Sequence, residues 1–454
     1  MYPLLYRYAR SISSQGRDLD KKLQELLQTQ WFSSKELKEL QLKKLKKLLE
    51  HAYNNVPFYR TSYQEVGLHP NDIKTLDDFR LIPIITKSDV QNNPNAFMAQ
   101  NFHRETLTKG MTGGSTGDPL VYYRDHNSAM WNWSLIQRNR SWFGFREGMK
   151  QAWFWGRDED VPDSKIDQIK TRLRRQRWQT CYNMGEDQMA AFAQELISFQ
   201  PEFILGYTSA IYVFAQYVMK KGITKIKPKA VQTAAEKLHD FQRDLISEVF
   251  QCPVIDSYAA MEIGTIATQC LEGGMHISAE LRYFETVIDD QLAQPGQMGE
   301  TVLTDFTNLA MPYIRYKSGD LAVLKEGICS CGRQLPLLGE ITGRKTDFFT
   351  MPSGKLVFGL YWGKRMREIP GVKRFRVHQA AVDTIKISYE AENGFDSNLL
   401  EKKRQEILNT LKEPLNISFE RVDKIPLSRV GKYLFISTDV PVSINNVTLE
   451  SVEK

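Results

Sequence analysis

The stretch that says most about this chain is MTGGSTGDP, at residues 111–119. Three glycines and three hydroxyl residues fall within residues 112–117. Glycine permits a positive φ, and successive backbone N–H groups in such a turn form a concave anion site. The stretch therefore predicts a loop that binds a polyphosphate, and its alternative is a flexible surface turn. It is not a Walker loop, because no lysine follows its last glycine.

From about residue 110 to residue 325, short apolar strands alternate with helical segments, which predicts an α/β sheet that binds ligands at the carboxyl ends of its strands. The predicted strands are residues 203–205, 230–233, 253–255, 300–306 and 311–316. The predicted helices are residues 19–55, before this region, and residues 210–220 and 236–250 within it.

Composition bounds the class of protein. A net charge of +6, from 60 basic and 54 acidic residues, is too small over 454 residues to indicate nucleic-acid binding. No apolar run reaches the roughly 18 residues of a transmembrane helix, and the N-terminus lacks the pattern of a signal peptide. Five cysteines, an odd number, fit a reducing compartment. We therefore expect a folded cytoplasmic protein.

Two later segments carry side chains suited to a nucleotide. DSYAAME, at residues 256–262, follows a predicted strand, so Tyr258 is placed to stack on a base and Glu262 to hold Mg²⁺ beside a phosphate. The alternative is a strand-end loop with a solvated glutamate. RYKSGDL, at residues 315–321, offers Asp320 to the two hydroxyls of a ribose, and its alternative is a hairpin turn.

Two further segments complete the set. GRKTD, at residues 343–347, lies where the composition changes and is a candidate hinge. PLSRVGK, at residues 426–432, places Lys432 on a glycine-containing loop, and the alternative for it is an ordinary surface lysine.

In this order and spacing, the segments resemble the adenylate-forming superfamily of acyl-CoA synthetases. The resemblance is closer to the phenylacetate–CoA ligase-like family, including its capsular polysaccharide biosynthesis branch. Three more stretches are similar to that family: HAYNNVPFYR at residues 51–60, ILGYTS at residues 204–209, and AAE at residues 234–236. The resemblance runs from roughly residue 35 to residue 440. It implies an α/β fold with a large N-terminal domain and a small, mobile α+β C-terminal domain.

The resemblance also implies domain limits and roles. The large adenylation domain is expected at residues 1–346, with a helical cap at residues 1–105, and the C-terminal lid domain at residues 347–454. Lys432, Glu262 and Thr116 are the expected catalytic residues, with Glu262 on Mg²⁺ and Asp347 as the hinge. The expected ATP-binding residues are Thr112, Gly113, Gly114, Ser115, Thr116, Gly117, Ala235, Glu236, Ser257, Tyr258, Asp320 and Arg344.

The function implied is activation of a small carboxylic acid by ATP, giving an acyl-adenylate and pyrophosphate. The loop reads Gly-Gly-Ser-Thr-Gly where many members have Ser-Gly-Thr-Thr-Gly, and residues 374–379 are more similar to the polysaccharide-associated branch. The acceptor is therefore left open between CoA and an amine or hydroxyl of an amino-sugar or nucleotide-sugar precursor. The rival readings are an adenylyltransferase that transfers AMP and a catalytically inactive nucleotide-binding protein. A homodimer is also considered.

The cysteines give a second expectation. Cys270 and His276 have five residues between them, and Cys329 and Cys331 follow with one residue between them. Three thiols and one imidazole suit a closed structural Zn²⁺ site, which predicts a zinc-bearing subdomain at residues 265–345. The alternative is a set of reduced, unliganded cysteines.

Overall fold

The computed structural model describes residues 14–112, 120–156, 171–181, 184–344, 348–354, 356–426, 433 and 435–440. The chain divides into two compact units. One runs up to Ser318 and includes Ala322–Ile341, and the other contains Gly319–Leu321 and the chain from Thr342 onward.

The first unit begins with helices, as the leucine spacing predicts. Ser33 and Glu36 form a capping box at the start of the second helix, which fixes its N-terminus. Leu45, Leu48 and Leu49 on that helix are fully buried in a cluster shared with Ile263 and Tyr313. The helices are α1 (Ser14–Thr29), α2 (Ser34–Asn55), α3 (Pro57–Glu65) and α4 (Lys87–Asn92).

A short hairpin follows, and residues 113–119 connect its two strands. It pairs β1 (Thr108–Met111) with β2 (Val121–Arg124) in antiparallel register. Helix α5 (His126–Ser141) comes next, capped by Asp125, whose side chain accepts a hydrogen bond from the Ser128 N–H.

In the described part of the chain, twelve strands form one mixed sheet in the order β11-β10-β12-β13-β14-β9-β8-β7-β6-β5-β3-β4. The half from β4 to β7 is parallel, and β7, β8, β9 and β14 pair antiparallel. The strands are β3 (Gln151–Trp155), β4 (Gln176–Thr180), β5 (Phe203–Tyr207), β6 (Ala230–Ala234), β7 (Val254–Ala260), β8 (Gly264–Gln269), β9 (Met275–Ile277), β10 (Arg282–Ile288), β11 (Gln291–Leu292), β12 (Met298–Asp305), β13 (Tyr316–Lys325) and β14 (Leu337–Arg344).

Three helices cover one face of the parallel half, and α5 lies against the other. The apolar side chains of those three helices pack with Phe154, Ile204 and Val231 in one core cluster. Such coverage of both faces is what a parallel sheet requires. The helices are α6 (Glu186–Phe199), α7 (Thr208–Lys220) and α8 (Asp240–Phe250).

Two element predictions in this unit are wrong. Residues 311–315 do not form a strand, because Pro312 has no N–H to donate and Arg315 has a φ of 50°; strand β13 begins only at Tyr316. The helix expected at residues 236–250 begins at Asp240, because Ala235 is left-handed and His239 caps the helix.

The second unit is α+β. A four-stranded sheet in the order β19-β18-β17-β20 packs with two helices around Trp362, Val377 and Ile387. A two-stranded ribbon of β15 and β16 precedes it. Its elements are β15 (Phe348–Thr350), β16 (Leu356–Phe358), α9 (Gly359–Arg367), β17 (Val372–Ala381), β18 (Thr384–Ala391), α10 (Asn398–Leu411), β19 (Asn416–Arg421) and β20 (Ile436–Thr438).

Among the described residues, none of the helices is both long and apolar enough to cross a membrane. The α/β fold class expected from the sequence is confirmed, with a large first unit and a small second one.

Candidate active site and metal centre

The two residues that flank the glycine-rich stretch, Thr112 and Leu120, are hydrogen-bonded to each other at the end of the hairpin. The Thr112 N–H donates to the Leu120 carbonyl at 2.9 Å, and the Leu120 N–H donates to the Thr112 hydroxyl oxygen at 3.0 Å. Gly113, Gly114, Ser115, Thr116 and Gly117 lie outside the described residues.

The strand after the loop is tied to the turn that carries Glu262. Arg124, at the end of β2, donates from Nη2 to the Met261 carbonyl at 2.9 Å. The Tyr122 ring lies so close to Gly110 that a Cβ there would come within 2.3 Å of it. Glycine at position 110 thus lets the hairpin close tightly over the tyrosine.

Glu262 is buried in the turn between β7 and β8, with only 7% of its surface exposed. The Tyr316 hydroxyl donates to its Oε1 at 3.0 Å. The reading of Glu262 as a solvated strand-end residue is therefore wrong. Burial raises the pKa of the nearby Tyr122 phenol, and the negative charge of Glu262 adds to that rise.

The end of β6 holds two of the expected ATP-binding residues. Ala235 has a φ of 68°, a left-handed conformation that costs energy in a residue with a Cβ. The Glu236 carboxylate accepts hydrogen bonds from the Ser209 N–H at 2.7 Å and the Ser209 hydroxyl at 3.1 Å. Its negative charge thus stabilises the N-terminus of α7.

Ser257 and Tyr258 lie in the middle of the neighbouring strand, β7. The hydroxyls of Ser257 and Thr268 are 3.2 Å apart, and a register shift follows Tyr258, which is half-buried. Asp256, which sequence reasoning missed as a titrating group, accepts from the Ser257 N–H at 2.8 Å. Burial raises the pKa of Asp256 to about 6.

Two of the remaining expected residues lie on strands. Asp320 lies inside strand β13 after Gly319, whose φ is 83°, so the hairpin-turn alternative is wrong. Arg344 is the last residue of β14. Asp347 and Lys432, like Thr116 in the loop, lie outside the described residues.

The four predicted metal ligands converge. The ligand atoms of Cys270, His276, Cys329 and Cys331 all lie within 4.8 Å of one another. The Cys270 and Cys329 sulfurs are 3.6 Å apart, and the Cys331 sulfur is 3.2 Å from His276 Nε2. Burial lowers the pKa of His276 to about 4, so its imidazole is neutral at pH 7.

Helix α5 supplies buried polar contacts that no sequence motif signals. Arg138 donates to Glu280 at 2.6 Å, and both side chains are essentially unexposed. The Asn139 amide donates to the Thr268 hydroxyl at 2.9 Å. The Trp142 ring packs edge-on against His276, with centroids 5.5 Å apart. Helix α5 and the adjacent Trp142 thus pack against the part of the sheet that holds Ser257 and the cysteine cluster.

Comparisons with known proteins agree with this architecture. The chain is 27% identical over 419 residues to Protein CapK of Staphylococcus aureus, covering 91% of this chain and 90% of CapK. It is 28% identical over 339 residues to a phenylacetate–coenzyme A ligase of Pseudomonas putida, covering 73% and 75% of the two chains. No protein-family model matches it.

Among solved structures, a 2-hydroxyisobutyryl-CoA ligase in its postadenylation state superposes with a TM-score of 0.72 at 19% identity, covering 90% of each chain. The fold is thus that of the adenylate-forming enzymes. Together with the curated relatives, CapK and the phenylacetate–CoA ligases, it agrees with the resemblance to the phenylacetate–CoA ligase-like family.

Proposed function

We propose that this protein activates a small carboxylic acid with ATP, releasing pyrophosphate, and passes the acyl group of the acyl-adenylate to CoA. The observation that carries the proposal is the contact from Arg124 to Met261, which joins the strand behind the glycine loop to the turn bearing Glu262. Relatives whose names state phenylacetate–CoA ligation, and the shared fold, support it.

The chemistry fits the residue types. Attack of a carboxylate on the α-phosphate passes through a crowded and strongly anionic transition state, which fixed N–H donors and cations stabilise. The loop at residues 112–117 supplies N–H groups, and Lys432 bridges the carboxylate and the α-phosphate. Glu262 is the Mg²⁺ ligand in this scheme, since a buried carboxylate beside a phosphate is a good ligand for that ion.

The nucleoside would be recognised by the strand ends. Ala235, Ser257 and Tyr258 border the adenine, with the aromatic ring of Tyr258 offering a stacking surface. Glu236 contributes through its backbone, because its carboxylate is engaged by Ser209. Asp320 accepts the ribose hydroxyls, Arg344 assists there, and rotation about Asp347 separates adenylation from acyl transfer.

The acceptor has a second candidate. The likeness to CapK spans 91% of this chain, against 73% for the phenylacetate–CoA ligase, which favours an amine or hydroxyl of a capsular polysaccharide precursor as an alternative to CoA. Transfer of AMP itself and a purely nucleotide-binding role are the further alternatives.

The cysteine cluster is proposed as a structural Zn²⁺ centre. With Zn–S bonds of about 2.3 Å, tetrahedral geometry places two sulfurs about 3.7 Å apart, close to the spacing of Cys270 and Cys329. A neutral His276 and three thiols supply the preferred ligand set and leave no open position for a substrate.

The test is an ATP–pyrophosphate exchange screen across carboxylic acids. We expect exchange with at least one acid, and Glu262→Gln should lower its rate by about 100-fold. Glu248→Gln, which alters an exposed glutamate of α8, is the matched control and should leave the rate unchanged.

Repeating the reaction with CoA and with amino sugars identifies the acceptor. Acyl-CoA formation supports the main proposal, and acylated sugar supports the alternative. Absence of exchange with every acid would reject adenylation, and label from ATP found on the product as AMP would indicate an adenylyltransferase.

A further inference from the structure

Arg140, near the C-terminus of α5, is a buried cation, with 8% of its surface exposed. Its Nε donates to the side-chain oxygen of Gln232 at 2.8 Å. Its guanidinium lies over the rings of Phe145 and Trp153, at 5.5 Å and 5.1 Å from their centroids. Burial lowers the pKa of Arg140 to about 9, so it remains charged at pH 7.

Arg140 differs from the other deeply buried arginines of this unit. Arg138, Arg282 and Arg315 each pair with a carboxylate. Within the described part of the chain, Arg140 pairs with none, and its two terminal nitrogens make no hydrogen bond there. A buried charge without a counter-ion is costly, and such groups are characteristic of sites that bind a ligand.

The position of Arg140 relative to the sheet suggests which ligand. Gln232 and Trp153 occupy one row across the parallel half, with Leu205 between them in register. That row lies two residues before the ends of β6 and β3, or about 7 Å below the strand ends at a rise of about 3.3 Å per residue. Ligands of such sheets bind outside those ends.

We propose that the acid activated by this protein is a dicarboxylic acid, whose second carboxylate is bound by the terminal nitrogens of Arg140. Gln232 fixes the guanidinium from its Nε side, which leaves the edge formed by the two terminal nitrogens for a bidentate contact with a carboxylate. This inference rests on the proposed function, since it names the substrate class of the same site. The two carboxylates of one acid would then have distinct roles, one activated and one held.

The test measures binding, so that it does not depend on catalysis. Isothermal titration of the whole protein compares succinate with butyrate, glutarate with pentanoate and adipate with hexanoate. We expect at least one diacid to bind about 10- to 100-fold more tightly than its matched monoacid, as charge-assisted hydrogen bonds allow. Arg140→Met should abolish that preference, and Arg140→Lys should keep part of it.

Thermal unfolding separates this role from a structural one. If Arg140 serves a ligand, Arg140→Met removes an uncompensated buried charge and should leave Tm unchanged or raise it. Equal binding of diacids and monoacids by the wild-type protein would overturn the inference, as would a preference that survives in Arg140→Met. Should Arg140→Met fail to fold, Arg140→Lys decides, because an undiminished preference there also overturns the bidentate contact.

The exchange assay reports separately on the proposed function. Diacid binding that depends on Arg140, without pyrophosphate exchange, would reject adenylation and leave the diacid site supported. Exchange with monoacids alone would support adenylation and reject the diacid site.

Discussion

The two halves of the large sheet differ in how their buried and strained residues are stabilised. The parallel half is formed around β5, β6 and β7, and the antiparallel half around β8, β9 and β14. In the parallel half, two residues adopt costly states: Ala235, just after β6, is left-handed, and half-buried Asp256, in β7, has a raised pKa. In the antiparallel half, Arg138 pairs with Glu280 and the cysteine cluster is compact.

Under the proposed function, this difference corresponds to a division between ligand binding in the parallel half and bracing of the fold in the antiparallel half. Costly conformations and buried charges persist where a ligand offsets them, whereas neutralised pairs persist where the fold must be held. Helix α5 touches both halves, through Arg140 to Gln232 and through Asn139 to Thr268. Variants in the two halves should therefore separate loss of activity from loss of stability.

The largest effect is expected at Lys432, the proposed catalytic cation. Lys432→Ala should lower pyrophosphate exchange by about 1000-fold while leaving nucleotide binding nearly intact, because the lysine acts on transition-state charge. Lys424→Ala, at an exposed site nearby in sequence, is the control. Wild-type exchange in Lys432→Ala would remove this residue from the mechanism.

The next largest effect is expected in the antiparallel half. Arg138→Met should destabilise the fold by about 3–5 kcal/mol, because it leaves Glu280 as a buried, unpaired charge. Denaturant unfolding measures the loss. The double variant Arg138→Met with Glu280→Leu should recover much of it, and a single variant as stable as the wild type would contradict the bracing role of this half.

Removal of the metal tests whether the cysteine cluster stabilises the antiparallel half. We expect one zinc per chain by elemental analysis, and chelation should cost about 3 kcal/mol, as for a ligand held well above its dissociation constant. Cys329→Ser should lose the metal, whereas Cys252→Ser, a buried thiol outside the cluster, should retain it. Metal-free protein with an unchanged Tm would show that the thiols are simply reduced.

The smallest effect concerns Asp256 in the parallel half. Its folded pKa of about 6 lies above its ordinary value of 3.8, so the folded state binds more protons between those values and loses stability as pH rises through about 6. Asp256→Asn should therefore raise stability by about 1–3 kcal/mol at pH 7.5 and by about a third as much at pH 4.5. A benefit equal at both pH values would exclude titration of Asp256 as its cause.

Local patterns account for the elements that were predicted correctly. Leucine spacing and the Ser33–Glu36 box define α2, and the apolar run at residues 203–205 gives the centre of β5. The errors arose where distant contacts decide. Helix α8 begins late because Ala235 is left-handed and His239 caps the helix, and the Glu236 side chain is instead engaged by Ser209, 27 residues away in sequence. Nothing in a local window reports that contact.

The candidate site shows the same contrast between what local sequence patterns predict and what distant contacts decide. The order of the glycine loop, Tyr258, Glu262, Asp320 and Lys432 was sufficient for the resemblance, and the curated relatives, CapK and phenylacetate–CoA ligases, agree with it. Roles for individual residues stay predictions. Arg124 and Arg140 were missed because each is an ordinary arginine on its own element, whose partner comes from a distant strand or turn.

By itself, the sequence determined the α/β class, the resemblance to the adenylate-forming enzymes and the identity of the four metal-ligand candidates, because residue types, periodicity and motif order are properties of the chain. Only the tertiary structure decided that those four ligands converge, that Glu262 is buried, and that Arg138 is paired with a carboxylate while Arg140 has no such partner among the described residues. Burial and charge pairing depend on which distant segments meet, and the free energy of a buried group is set by those neighbours.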